Sequence, residues 1–496
     1  MQMIIGNGFA DASDKKARPV INPATGEVID TVPEATVEDV AYAIGVAVEA
    51  QRDWANRTTR ERTDIIRKAA GMIRARRVEL GKILSLETGK PYMGEAVWEF
   101  DSVAFILEAS CEVAKHHYGQ VMTDSTEPGY DNDLQFTMHT PRGVIACIVP
   151  FNFPAALWAF KVGGALAAGN AIVVKAPSYD PLAVIECHKI LIEAGIPAPV
   201  VQCLTGAGAR VGNAICSDPR IDAINFTGST ATGITIAKTA AEHLTPYYFE
   251  LGGNDGLIIC DDADMDLAVS EAGDKSRNSG QACSAAKRFI VHNSVKKRFT
   301  ERLIEERLSR LVLGDPLDSE TTMGPLIGKS AADEIFRQTQ HTVAQGGKIR
   351  FGGKRRDSYA FFEPTVIENV TPEMDIARDM EVFGPVWPII GFDRLEDAVT
   401  IHNNSRYGLG GGILTPNMKK ALQVARQLKT GHVAINASGG FRAAELPFGG
   451  GSKASGNSRE SMAEVMREVT QQKSIILRHV FSDESVPGTA PECLAG

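Results

Sequence analysis

Several short stretches hold residue types that can do chemistry together. In Arg277-Asn-Ser-Gly-Gln-Ala-Cys-Ser-Ala-Ala-Lys-Arg288, a lone thiol, Cys283, sits between Gly280–Gln281 and two cations, Lys287 and Arg288. A nearby cation lowers a thiol pKa and raises the reactive thiolate fraction. A free cysteine is also often a small buried hydrophobe. Asn152, in Pro150-Phe-Asn-Phe-Pro154, follows the apolar run Val144–Val149, where Pro154 can open a helix. Its amide can donate to a developing oxyanion or can merely serve a turn. Glu250, in Phe249-Glu-Leu-Gly-Gly-Asn254, is either a carboxyl in a tight apolar turn, fit to act as a base, or a surface helix end.

Other stretches suit a phosphate-bearing ligand. Ala171-Ile-Val-Val-Lys175 ends a strand in a lysine that can reach a ribose or phosphate, or simply solvent. Phe226-Thr-Gly-Ser-Thr-Ala-Thr-Gly233 places a glycine-containing turn between a strand and a helix, whose N-terminal N–H groups can hold a phosphate. Its spacing departs from G-x-G-x-x-G, so as a dinucleotide fingerprint it is weak. Glu381-Val-Phe-Gly-Pro385 leads into a strand, and Pro447-Phe-Gly-Gly-Gly451 lies in a loop near the end.

The elements that must position these residues read in order. Residues 21–31 form a short hairpin with Pro23 and Gly26 at the turn. Thr36 caps one helix, and the capping-box spacing Thr58-x-x-Glu61 opens another through about Arg77. A third runs over roughly 95–117. Leu134–His139 alternates as an edge or interface strand. From Gly143 strands and helices alternate: strands Val144–Val149, Ala171–Lys175, Val200–Leu204 and Asp222–Phe226, with helices over 154–168, 181–194 and 208–217. A second series holds strands Leu257–Cys260, Phe289–Val291, Val386–Phe392, Gly412–Thr415 and Val433–Asn436. Near-continuous apolar strands between helices predict two α/β units with parallel sheets covered on both faces.

Length agrees, since 496 residues exceed one core. The net charge of −9, without a basic block, argues against nucleic acid. No apolar run is long enough to span a membrane, and no secretory signal opens the chain. Eight scattered cysteines (111, 147, 187, 203, 216, 260, 283 and 493) form no Cys-x-x-Cys pair. They predict reduced thiols in a cytoplasmic protein, with no disulfide framework and no metal site.

With these motifs in this order, the chain resembles the aldehyde dehydrogenase superfamily from about residue 20 to 480. The resemblance implies two Rossmann-like parallel-sheet domains plus a small β oligomerisation arm. Residues 1–120 and 143–251 would be the nucleotide-binding domain and 252–432 the catalytic domain. Residues 121–142 and 470–485 would be the arm, 433–469 a return to the active site, and 486–496 a loose tail. It implies NAD or NADP as cofactor, an aldehyde as substrate and a homodimer or homotetramer.

It also implies roles. Cys283 would be the nucleophile, Asn152 an oxyanion donor, Glu250 the base that hydrolyses a thioester, and Lys161 with Glu460 a proton-passing pair. Pro150, Phe151, Lys175, Ser178, Gly228, Ser229, Gly233, Leu251, Glu381 and Phe383 would hold the nucleotide. Leu157, Phe160, Ala282, Ser284, Arg442 and Phe448 would line the substrate channel, with Arg442 suited to an aldehyde bearing a distal anion, such as a semialdehyde. Rival readings are a coenzyme-A-acylating enzyme, which Glu250 opposes, and a non-catalytic relative, which the intact Cys283, Asn152 and Glu250 oppose.

The chain departs from the family pattern in three places. Lys175-Ala-Pro-Ser178 replaces Lys-Pro-x-Glu, which bears on NAD against NADP. Asn254 replaces a lysine. Phe448-Gly-Gly-Gly-Ser-Lys453 carries one residue more than the usual Pro-Phe-Gly-Gly-x-Lys, which bears on the position of Glu460.

Overall fold

The structure is a computed structural model that describes residues 1–122, 125, 127–356 and 359–481. Two seven-stranded sheets carry the chain. In the first, Tyr247–Glu250, Ala223–Thr227, Val144–Ile148, Ala171–Lys175 and Val201–Leu204 lie side by side and parallel. Every residue of the last four is buried. Their Val, Ile and Ala content suits strands covered on both faces, which need no polar alternation. Helices Val37–Ala55, Pro154–Ala168 and Leu182–Ala194 supply the cover.

The order of these strands fixes where a ligand can sit. From Val144–Ile148 the chain steps outward through Ala171–Lys175 to Val201–Leu204, then returns to the opposite side with Ala223–Thr227. That reversal opens a crevice beyond the carboxyl ends of Val144–Ile148 and Ala223–Thr227. Asn152 and Ser229 follow those two ends.

In the second sheet, Thr365–Val370, Val386–Phe392, Arg288–His292, Gly256–Ile259, Gly411–Leu414 and Ala434–Ile435 are parallel, and Lys348–Phe351 is an antiparallel edge. Ile258, Ile290 and Ile413 face one layer of helices, while Leu257, Ile259, Phe289 and Val291 face the other. A small third sheet pairs Leu134–Pro141 antiparallel with Thr470–Leu477, with Val121–Met122 beside it.

Both capping threonines act as expected: Thr36 exchanges bonds with Asp39, and Thr58 with Glu61. The second helix stops at Ala75, and Arg77–Thr88 is a further helix that the sequence pattern merged with its surroundings. The third is Val97–Lys115, entered through a π turn at Tyr92–Ala96. The segment 208–217 is a π turn followed by one short α turn rather than a single helix. Strands Met3–Ile5, Gly8–Ala10, Tyr247–Glu250, Lys348–Phe351 and Thr365–Val370 were not expected. Most of them lie at sheet edges, where short or mixed polar sequences suffice. The expected tail, 486–496, and the end of the arm, 482–485, lie outside the described residues.

Candidate active site

Cys283 stands on a loop at the amino end of strand Arg288–His292, facing the carboxyl ends of the first sheet. The chain reaches it through three consecutive left-handed residues, Asn278 (φ 47°), Ser279 (φ 53°) and Gly280 (φ 76°). Two of these are not glycine, so the surroundings must hold them there. The Glu95 carboxylate accepts from Asn278 N at 2.8 Å, and Ser279 Oγ donates to Gly324 O at 2.6 Å. Asn278 Nδ2 donates to Asn152 O at 2.7 Å, which ties the cysteine loop directly to the Asn152 turn. At Gly280 a Cβ would fall 2.3 Å from Gly384 O, so only glycine fits.

The two cations beside Cys283 behave differently from expectation. Lys287 Nζ donates to Cys283 O at 2.6 Å and belongs to the site. Arg288 turns away, and its guanidinium binds the carbonyls of Asn254, Ala377, Ile401 and His402 at 2.7–3.1 Å. Nor is the thiol activated at rest. Burial, then the nearby Glu250 and Glu460 carboxyls, push it well above its ordinary value, against the opposing charges of Lys287 and Arg442.

Glu250 ends the edge strand Tyr247–Glu250, so it is neither a helix end nor on the surface. It is 2% exposed, and neither carboxylate oxygen has a hydrogen-bond partner that completes good geometry, although the Cys283 thiol faces it. Burial first, and then Glu460, hold its carboxyl well above the usual range. Beneath it, Lys161 Nζ reaches Thr227 Oγ1 at 2.6 Å, Asn225 Oδ1 at 2.9 Å and Glu460 Oε1 at 3.4 Å. Thr227 Oγ1 also donates to Glu460 Oε1 at 3.1 Å. The extra loop residue does not displace Glu460. Backbone bonds in both directions between Phe448 and Glu460 clamp the two ends of the loop.

On the outer side, the Arg442 guanidinium lies 4.3 Å from the Phe448 ring centroid and 5.7 Å from that of Phe160. Phe448, Phe160 and Leu157 are buried. Ala282 and Ser284 flank the cysteine, and the chain at Gly439 and Gly440 passes close to Ser284 O.

On the other side lies the crevice of the first sheet. Lys175 is buried and donates to Ser178 Oγ at 2.7 Å, and Ser178 Oγ donates on to Gly206 O at 3.2 Å. Burial lowers the amine to about 8. Ser229 caps helix Thr230–Ala241, accepting from Thr232 N. A Cβ at Gly228 would strike the Phe226 ring, and one at Gly233 the Leu251 side chain. Glu381 Oε1 accepts from Gly253 N at 3.1 Å. Phe383 packs its ring edge-on to Phe151, which follows Pro150, with centroids 6.0 Å apart. This set fits a dinucleotide. It offers a buried cation with one protein hydrogen bond, a helix N-terminus closed by small residues, and a carboxylate and two rings toward the thiol.

Two positioning residues escaped the sequence reading. Glu99 accepts from Ala155 N at 3.0 Å and Ala156 N at 3.1 Å, capping the helix that follows Asn152 and bears Lys161, and it pairs with buried Lys90. Glu95, one turn earlier, holds Asn278, and burial pushes it up to about 7. Two carboxylates four residues apart on the inner face of an apolar segment were the available signal.

A thiol beside a buried carboxyl, facing across two α/β sheets a crevice that fits a dinucleotide, is the arrangement of a nucleotide-dependent oxidoreductase. The chain belongs to the aldehyde dehydrogenase family, whose model matches residues 9–475. It is 34% identical over 472 residues to a 3-sulfolactaldehyde dehydrogenase of Priestia aryabhattai, covering 95% of this chain and 97% of that one. It is 36% identical over 478 residues to a mitochondrial succinate-semialdehyde dehydrogenase of Arabidopsis thaliana, covering 96% and 89%. A solved betaine aldehyde dehydrogenase of Staphylococcus aureus in complex with NAD+ superposes with a TM-score of 0.92 at 34% identity, covering 96% and 97%. The protein is thus an NAD(P)-dependent aldehyde dehydrogenase that oxidises an aldehyde to a carboxylic acid. Among the described residues no helix is long and apolar enough to cross a membrane.

Proposed function

We propose that Cys283 attacks the aldehyde and that the substrate carries a distal anion. The facing pair of Cys283 and Glu250 carries the first part. As the thiol gives up its proton to the facing Glu250 carboxylate, sulfur bonds to the carbonyl carbon. The Asn152 amide and the Cys283 N–H stabilise the resulting oxyanion. The bound nucleotide, held by Lys175, Ser178, Gly228, Ser229, Gly233, Leu251, Glu381 and Phe383 against Pro150 and Phe151, supplies a hydride acceptor. The thioester left on Cys283 is hydrolysed by water that gives a proton to Glu250. Burial, then Glu460, raises the Glu250 carboxyl, which makes its ionised form the stronger base. Lys161, Thr227 and Glu460 pass that proton onward.

Arg442 carries the second part. It is stacked on Phe448 and Phe160, with one long bond to Glu460 O at 3.5 Å, so most of its fork is left for a ligand. A planar fork suits a carboxylate, sulfonate or phosphate. The names of the Priestia and Arabidopsis relatives fit such substrates, while the Staphylococcus enzyme acts on a cationic aldehyde, so Arg442 rather than kinship supports the reading. Steady-state kinetics on succinate semialdehyde, a phosphorylated aldehyde and a neutral aldehyde of equal length test it. A kcat/KM no higher for the anions than for the neutral aldehyde overturns it.

The first sheet with residues 1–120 and 143–251 would bind nucleotide, and 252–432 would carry the thiol. The third sheet would mediate a homodimer or homotetramer. Its outer strand Thr470–Leu477 is an open edge, and Val121, Met122, Met138, Ile476 and Leu477 are exposed there. A cytoplasmic location is supported by the seven free cysteines among the described residues.

A further inference from the structure

Lys287 is a fully buried side chain at the meeting point of the two halves of the site. Its ammonium donates to Cys283 O at 2.6 Å, lies 3.4 Å from Glu381 Oε1, and stands 5.8 Å from the Phe383 ring centroid. Its own backbone N–H donates to Asp255 O at 2.8 Å, so its origin is fixed as firmly as its tip. One cation therefore joins the nucleophile's loop to the Glu381 carboxylate and faces the Phe383 ring, both proposed to hold the nucleotide.

We infer that Lys287 is a positioning residue that joins the Cys283 loop to the Glu381–Phe383 segment, so that one buried charge sets both the ionisation of the nucleophile and the shape of the nucleotide site. This deepens the reading of Cys283 as nucleophile and rests on it. The physical basis is that a buried ammonium must be met by partners on every side. Here those partners come from two different segments. Without Lys287, Glu381 keeps its bond from Gly253 N but loses its ion pair, and the Cys283 carbonyl loses its side-chain donor. Other charged groups also face this place. Glu250, Glu460 and Arg442 act on the thiol, and Asp255, Lys275 and Glu381 lie around the ammonium. Of the two cations that act on the thiol, Arg442 stands at the channel mouth and Lys287 beneath the loop.

The test is the pH dependence of Cys283 alkylation by iodoacetamide in the free enzyme, followed by peptide mass spectrometry. NAD affinity is measured alongside by calorimetry. Lys287→Gln keeps a donor for the Cys283 carbonyl but removes the charge. It should alkylate about tenfold more slowly near neutral pH, with its midpoint displaced upward by about one pH unit. NAD should bind it several-fold more weakly. Lys287→Arg should restore the midpoint. A merely structural lysine would lower the amplitude at every pH and leave the midpoint in place. Lys287→Gln with the parent midpoint overturns the inference, and so does Lys287→Arg failing to restore a displaced one. If the parent's Cys283 resists alkylation at every pH, the reading of Cys283 as nucleophile falls as well, which separates the two failures.

Discussion

Lys175 Nζ and Ser178 Oγ are 2.7 Å apart at the end of a central strand of the first sheet, where the nucleotide's adenosine ribose would lie. The proline shift in Lys175-Ala-Pro-Ser178 thus leaves the serine within the lysine's reach. A neutral serine accepts from a ribose hydroxyl or donates to a phosphate, so NADP should be accepted alongside NAD. Replacing it by Ser178→Glu sets a carboxylate against the 2′-phosphate. At about 4 Å and an effective dielectric near 20 that repulsion is about 4 kcal/mol. The ratio of kcat/KM for NADP to that for NAD should fall by up to about a thousandfold. A ratio unchanged in Ser178→Glu would remove Ser178 from the nucleotide site.

The same lysine gives a pH dependence. Burial brings its amine down to about 8, so it is charged below that pH and neutral above it. Only the charged form pairs with a 2′-phosphate. NADP affinity should therefore be full below about pH 8 and weaken as pH rises through it, while NAD affinity changes less. Calorimetric titrations of both nucleotides between pH 7 and 9.5, on the order of the range that spans this lysine, would show parallel curves if Lys175 had no phosphate role.

Glu250→Gln should separate the two half-reactions. The thioester should form and then persist, giving a burst of reduced nucleotide followed by slow turnover. Cys283→Ala should abolish both phases. Asn152→Ala removes one oxyanion donor and should lower kcat by roughly 10²–10³. Stopped-flow absorbance of the reduced nucleotide reads all three.

Arg442→Ala should raise KM for anionic aldehydes tenfold or so, the scale of about 1.4 kcal/mol expected for one charge-assisted hydrogen bond, with little change for a neutral aldehyde. Arg442→Lys should recover only part of the loss, because an ammonium does not lie flat between Phe448 and Phe160. Equal KM values for an anionic aldehyde in the parent and in Arg442→Ala would exclude the contact.

Glu99→Ala leaves buried Lys90 without its partner and the N-terminus of helix Pro154–Ala168 without its cap. Breaking a buried pair in this way costs about 3–5 kcal/mol. Thermal denaturation should show a large loss, and Glu99→Gln, which keeps an acceptor for Ala155 N and Ala156 N, a smaller one. Equal stability in the parent and Glu99→Ala would show that neither contact matters.

The sequence by itself determined the local events. Thr36 and Thr58 cap helices because a hydroxyl and a carboxylate three residues on satisfy N–H groups within one turn. The runs Val144–Ile148 and Ala171–Lys175 are central strands because only a strand buried on both faces has no use for polar alternation. Cys283 and Asn152 were candidates from their motifs, each beside a strand the sequence showed, whereas Glu250 was a candidate whose edge strand, Tyr247–Glu250, was not expected. The tertiary structure alone decided how those ends face one another. It turned Arg288 away from the thiol and kept Lys287 beneath it, although the two are neighbours in the chain. It brought Glu460, Glu250 and Lys161 into one buried cluster, where carboxyls crowded away from water lift the thiol instead of ionising it. It set Glu95 against the Asn278 loop and Glu99 against the start of helix Pro154–Ala168, each more than fifty residues away. Capping and strand burial are settled within a few residues, whereas charge and desolvation at a site depend on every segment that folding packs around it.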